Sequence, residues 1–192
     1  MSPFNDAFVN ALLADAAYAD ELSDGLTGNL LVPKLIQSMT PTLAAFVAAN
    51  FQVVSHLESS DIPGVGSGFD ATAWRGLPGT PYEGRIYVSM QGTKGISDVV
   101  TDIQLALTGN AGQQVIDMVN WWLRITAPRD TTVPQYSYQS EPGPSGSTIW
   151  SWKQSEVFGT GKITTQDLEV GTQVNGHSLG GFLATAFTRL LG

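Results

Sequence analysis

The chain has 192 residues, 42% hydrophobic and 14% charged, with a formal net charge of −8 at pH 7. That apolar content suffices for one buried core and excludes wholesale disorder, while 17 acidic against 9 basic residues, without a basic cluster, argues against nucleic acid as a partner. With no cysteine there are no disulfides, thiolate nucleophiles or Cys-ligated metals, and two histidines, His56 and His177, are too few for a multi-histidine metal site.

Residues 1–6 carry neither a positive segment nor an apolar run, so no secretory signal is visible, and no apolar stretch is long enough to span a membrane. Ser2-Pro3 is a helix start, a capping serine with proline at the first helical position. Phe4, Phe8, Ala11, Leu12 and Leu13 recur at helical spacing and predict an amphipathic helix to about Leu22, ended by Gly25 and Gly28. Thr40-Pro41 repeats the start signal, and the apolar run from Leu43 to Ala49 predicts a short buried helix. Phe51, Val53 and Val54 predict a strand, and the alternation from Phe69 to Trp74 a second. After the turn-rich Gly76–Gly84, the β-branched and aromatic run Arg85–Met90 predicts a central strand.

Ser97 caps a predicted helix carrying Val99, Val100, Ile103, Leu105 and Leu107, stopped at Gly109-Asn110. A second helix carries Val115 to Ile125 and ends before Pro128. Residues 127–150 hold Pro128, Pro134, Pro142 and Pro144 and are predicted to be an irregular, lid-like segment. Finally Gly171–Asn175 predicts a short strand that turns through residues 176–181 into a helix from Phe182 to Leu191. The pattern is α/β, with residues 1–192 forming a single domain.

The chemistry concentrates in that last turn, Gly176-His177-Ser178-Leu179-Gly180-Gly181. Gly-x-Ser-x-Gly between a strand and a helix is the pattern of a nucleophile elbow, in which the serine takes strained backbone angles and its hydroxyl stands clear of the sheet. Glycines two before and two after remove side chains that would collide in so sharp a turn, and the following helix aims its first N–H groups at a developing oxyanion. The bland alternative is a glycine-rich turn with an inert serine. A phosphate-binding turn lacks both Gly-Lys-Ser/Thr and Gly-x-Gly-x-x-Gly.

The run Gly-His-Ser-Leu-Gly-Gly followed by Phe-Leu-Ala-Thr-Ala resembles the nucleophile region of class 3 lipases, an α/β-hydrolase family. The upstream run Ile86 to Met90, then Gln91-Gly92-Thr93, with Asp102 nine positions on, resembles that family's oxyanion loop. The resemblance spans roughly Ala11 to Gly192 and implies an α/β-hydrolase fold with Ser178 as nucleophile. It implies an oxyanion hole from Thr93 and Leu179, with Asp102, Gly176, His177 and Gly180 in support. Gln91 stands where the family usually has arginine, and Val99 where it often has tryptophan. The implied substrate is a lipid or other carboxylic ester met at a lipid or membrane interface. The implied location is outside the cell without an N-terminal signal, with the cytoplasm as the alternative. No cofactor is implied for these residues; the related bacterial lipases often carry calcium-binding repeats further on, absent here.

Acyl transfer by serine needs a base and an acid to orient it, and in α/β-hydrolases these follow the serine. Residues 179–192 contain no Asp, Glu or His. His177 abuts Ser178 and is read as a packing residue; His56 is read as a satisfied core or surface histidine. The expectation is therefore a partial α/β-hydrolase domain, a truncated lipase whose acid and base lie in a missing C-terminal half or a partner chain. Trp121, Trp122, Trp150, Trp152 and Phe158 suit an apolar entrance, although Trp122 fits the core by spacing, and the tryptophans at 150 and 152 suit either one strand face or a lid. The alternative function is a catalytically dead hydrolase-like protein used for binding or assembly.

Overall fold

A computed structural model of the chain describes residues 3–58, 67–92 and 111–192. The elements in order are α1 (Pro3–Ala16), α2 (Gly28–Leu35), α3 (Pro41–Asn50), β1 (Phe51–Leu57), β2 (Ala71–Gly76), β3 (Ile86–Met90) and α4 (Ala111–Thr126). They continue as β4 (Thr132–Pro142), β5 (Thr148–Phe158), α5 (Thr165–Val170), β6 (Thr172–Gly176) and α6 (Leu179–Leu191). The main sheet has the order β1-β2-β3-β6. Its first three strands are antiparallel and β6 joins β3 in parallel. Strands β4 and β5 form a separate antiparallel hairpin.

The sheet is packed on both faces. Tyr87, Trp74, Phe51 and Val53 join Leu13, Leu31 and Val47 of the N-terminal helices in one core. Val88, Met90 and Phe69 join Met118, Trp122, Leu183 and Phe187 of α4 and α6 in the other. Every residue of β3 is buried, as a near-continuous apolar run requires of a central strand with covered faces. In β1 the register shifts between Val53 and Ser55. Val53 then lies in one core and Val54 in the other, while the Ser55 hydroxyl accepts from the Trp121 indole on the α4 side.

Several expectations need correction. Helix α1 stops at Ala16, not near Leu22; residues 17–19 continue in turns, with Tyr18 N–H donating to Asp15 O and Ala19 N–H to Ala16 O. Leu22 is still buried, so the apolar spacing survives where the helix does not. Gly28 opens a helix instead of ending one. The segment 127–150 is not irregular: residues 132–142 pair throughout with 148–158. Prolines are tolerated because each strand of a two-stranded hairpin has an unpaired side. Helix α6 begins at Leu179, directly after the serine, not at Phe182. Helix α5 has a signature that the sequence did carry, a capping box between Thr164 and Asp167. The Ser2 cap and the helix expected from Ser97 to Leu107 lie outside the described residues.

The hairpin is fastened at its base by Asn120 of α4, which donates to Tyr136 O at 2.8 Å and accepts from Tyr136 N–H at 2.8 Å. Its return to the sheet is fastened by Arg75, which donates from Nε and Nη2 to the two Asp167 oxygens at 2.9 and 2.8 Å and to Lys162 O at 2.8 Å. Burial alone would raise the Asp167 carboxyl, but the Thr164 amide and hydroxyl and the Arg75 guanidinium outweigh it and hold the group below the usual carboxylate range. Among the described residues no helix is long and apolar enough to cross a membrane.

Candidate active site at the strand–helix elbow

Strands β3 and β6 run parallel, with Met90 beside Gly176, so their C-terminal ends share one edge of the sheet. At that edge β6 turns into α6 through His177 and Ser178. Ser178 has φ 54° and ψ −120°, a conformation that L-residues occupy only under constraint. The constraint is visible in the neighbouring glycines. A Cβ on Gly180 would lie 2.1 Å from Met90 O, and one on Gly176 would lie 2.5 Å from the Gly180 carbonyl carbon. The turn closes with Gly180 N–H donating to His177 O at 2.8 Å and Gly181 N–H to Ser178 O at 3.0 Å. Ser178 is exposed at the N-terminal end of a 13-residue helix; of its first four residues, Gly180, Gly181 and Phe182 bond their amides back to His177 O and Ser178 O. Leu179 is the first of those residues.

The loop leaving β3 lies against the elbow. A Cβ on Gly92 would sit 2.8 Å from His177 O, 3.2 Å from Tyr18 Oη and 3.4 Å from Ser178 Cβ. Only glycine lets the β3 loop pass at this distance. Gln91 is buried and donates from Nε2 to Ala17 O at 2.7 Å, while its amide donates to Asp70 O at 3.0 Å. Gln91 therefore anchors the turn after α1 to the end of β3. Thr93 and Asp102 lie outside the described residues.

The two histidines are held elsewhere. His177 turns Nε2 to Asp15 Oδ1 of α1 at 3.0 Å, both side chains at least half exposed. The His56 side chain is buried in β1, with Nδ1 2.8 Å from Thr72 Oγ1 and Nε2 3.5 Å from Glu58 Oε1. Registers His56–Thr72, Thr72–Ser89 and Ser89–Asn175 put His56 three strands from β6, roughly 14 Å away at ordinary strand spacing. Of the acids, Asp15 pairs with His177, and Asp117 of α4 is raised by burial, an effect that bonds from Ser67 and Gln113 only partly offset. Among the described residues no group of three or more His, Asp or Glu gathers as a metal site would require.

An apolar surface lies toward the same end of the sheet. The Gln114 amide donates to Ser67 O near the start of β2, whose Ala71 pairs with both Met90 and Leu57, while Ile163 N–H bonds Ile125 O at the far end of α4. The N-terminus of α4 is thus on the Ser178 side of the sheet. There Gly112, Gln113 and Ile116 border a hollow with Tyr138, Trp150 and Trp152 of the hairpin. Tyr138 stacks on Trp150 with centroids 5.4 Å apart and meets Trp152 at 5.1 Å. The pairs Tyr138–Trp152 and Ser140–Trp150 put these rings on one strand face, and both tryptophans are more than half exposed. Trp122, in contrast, is core, packed edge-on against Phe187.

Sequence reasoning did not find Tyr18, Asp15 or the anchoring role of Gln91. Tyr18 reaches Gly92 across 74 positions, and no local motif marks a contact of that span. No protein-family model, curated protein or solved structure matches this chain.

Proposed function

We propose that the chain carries the nucleophile elbow of a serine hydrolase of the α/β-hydrolase type, acting on carboxylic esters of apolar acids such as lipids. The observation that supports this best is the backbone of Ser178, φ 54° and ψ −120°, in an exposed residue at the junction of a parallel strand and a helix. A strained serine is retained where its hydroxyl must stand clear and its neighbours' amides must converge. The aromatic face of the hairpin, on the same side of the sheet, supports an apolar substrate. In this reading Ser178 Oγ attacks the ester carbonyl, and Leu179 and Thr93 offer amides to the oxyanion. The general base is a group other than His56, which is too distant, or His177, which faces Asp15.

Those two histidine positions favour the second reading, a hydrolase-like binding or assembly protein with an unreactive serine. A fluorophosphonate probe separates the readings. The first expects one modified site, mapped to Ser178 and lost in Ser178→Ala. A wild-type chain left unmodified at saturating probe would overturn it. Because neither histidine reaches Ser178, steady hydrolysis of p-nitrophenyl esters by these 192 residues is expected to stay near the residual level, on the order of 10³–10⁴ over water, of triad-deleted proteases.

A further inference from the structure

The Tyr18 hydroxyl lies beside the elbow, and Ser178 acting as nucleophile with backbone oxyanion donors leaves it unused. Its oxygen accepts from Gly92 N–H at 2.6 Å, and it lies 3.2 Å from the point that is itself 3.4 Å from Ser178 Cβ. A phenol has one proton to donate besides its acceptor capacity. Here the Gly92 amide uses the acceptor side, and among the described residues no acceptor takes the proton. An oxygen that accepts a hydrogen bond becomes a better donor through its own O–H. We infer that Tyr18 is a catalytic residue: its hydroxyl donates to the oxyanion that forms on a substrate at Ser178, alongside the Leu179 amide. This rests on reading Ser178 as the nucleophile.

The hydroxyl is held for that task from both sides. Gln91 bonds Ala17 O next to it, and Tyr18 N–H bonds Asp15 O, the same residue whose carboxylate pairs with His177 beside the serine. A donor fixed before the reaction needs no reorganisation when charge develops, which is the condition for strong oxyanion stabilisation. The competing assignment is structural: Tyr18 serves only as acceptor for Gly92 and so shapes the loop. The two assignments differ in sign when the phenol is made more acidic. A fluorinated phenol is a stronger donor and a weaker acceptor.

Phenylboronic acid tests this without a leaving group. Its boron accepts a lone pair of Ser178 Oγ, the O–B bond forms, the hydroxyl proton leaves to solvent, and the tetrahedral adduct carries the negative charge near its oxygens. The adduct is followed by boron NMR at neutral pH in wild type, Ser178→Ala, Tyr18→Phe and a chain with 3-fluorotyrosine at position 18. The expected result is an adduct lost in Ser178→Ala, weakened about tenfold or more in Tyr18→Phe, and tightened by fluorination. An adduct equally tight in folded Tyr18→Phe, or one weakened by fluorination, overturns the role of Tyr18 and leaves the nucleophile standing. Absence of any serine adduct in wild type overturns the nucleophile, and the role of Tyr18 with it. The fluorinated chain keeps the hydroxyl, so the sign of its effect decides the matter even if Tyr18→Phe fails to fold.

Discussion

At the 176–181 turn backbone meets backbone with no room for a Cβ at Gly176 or Gly180; along the hairpin of 132–158 two strands leave the Tyr138, Trp150 and Trp152 rings largely in solvent. The first is specified by exclusion. Met90 O and the Gly180 carbonyl fix which residues the turn accepts. The second is specified mainly by pairing, through cross-strand partners, and by the Asn120 bonds at its base. A region built by exclusion tolerates little change and holds a reactive group in place. A region built by pairing spares its faces for contact with something else.

The largest expected effect comes from filling the space at the turn. Gly180→Ala puts a Cβ 2.1 Å from Met90 O, a backbone atom that cannot step aside. It should cost about 3–5 kcal/mol by urea unfolding, at the upper end of single substitutions. Gly146→Ala at the hairpin tip meets nothing within 4 Å and suffers only its positive φ of 77°. That change should cost about 1 kcal/mol. Equal losses at the two sites would break the distinction.

A smaller effect concerns the strap between the regions. Asp167→Ala removes the paired bonds to Arg75 and the cap of α5, and should cost about 2 kcal/mol at neutral pH. The sign with pH follows from the lowered carboxyl. Its contribution is fully present above the unfolded value, about 3.9, and is lost as pH falls through the lower folded value. Unfolding curves for wild type and variant should therefore begin to converge below about pH 4 and meet only below the lowered folded value. A stability gap that persists at the acid end would show that the ion pair is not its source.

The same contrast explains what could be read from residues alone. Gly176, Ser178 and Gly180 were legible because local backbone crowding writes itself into glycines at fixed spacing. The central strand Ile86–Met90 was legible because burial on both faces demands a continuous apolar run. The hairpin was hidden: Pro134 and Pro142 read as breaks, and the alternation of Tyr136, Tyr138, Trp150 and Trp152 is split by the tip. Tyr18 and Gln91 were hidden for another reason. Their partners are 74 positions distant, and a long-range hydrogen bond leaves no periodic trace.

Truncating the hairpin rings should matter little to global stability. Trp150→Ala with Trp152→Ala removes side chains that are 57% and 62% exposed as residues, so the loss should stay under about 1 kcal/mol. The near-ultraviolet circular dichroism from the stacked rings should fall while the urea midpoint barely moves. A large drop in midpoint would mean that the aromatic face is buried in solution, and the hairpin would then join the excluded class.

The smallest effect isolates the strain at the elbow from its chemistry. Ser178 and Ser145 both have positive φ, 54° and 58°, but their ψ values differ, −120° against 27°. Ser145 sits close to the left-handed helical basin, which polar residues visit at modest cost; Ser178 lies outside it, where a Cβ is strained by roughly 1–3 kcal/mol. Replacing either serine by glycine relieves the Cβ and adds unfolded-chain entropy worth about 0.5–1 kcal/mol against folding. The balance is near zero at Ser145 and a gain of about 0.5 kcal/mol or more at Ser178. Ser178→Ala is the control. It removes the hydroxyl and keeps the Cβ, so it should leave the urea midpoint near that of wild type. If Ser178→Gly and Ser178→Ala have the same midpoint, the turn stores no strain in its serine. If Ser145→Gly gains as much as Ser178→Gly, positive φ alone is the cause and the elbow's ψ carries no added cost. A gain confined to Ser178→Gly would mean that folding pays for an exposed hydroxyl at that turn, as a nucleophile's position requires.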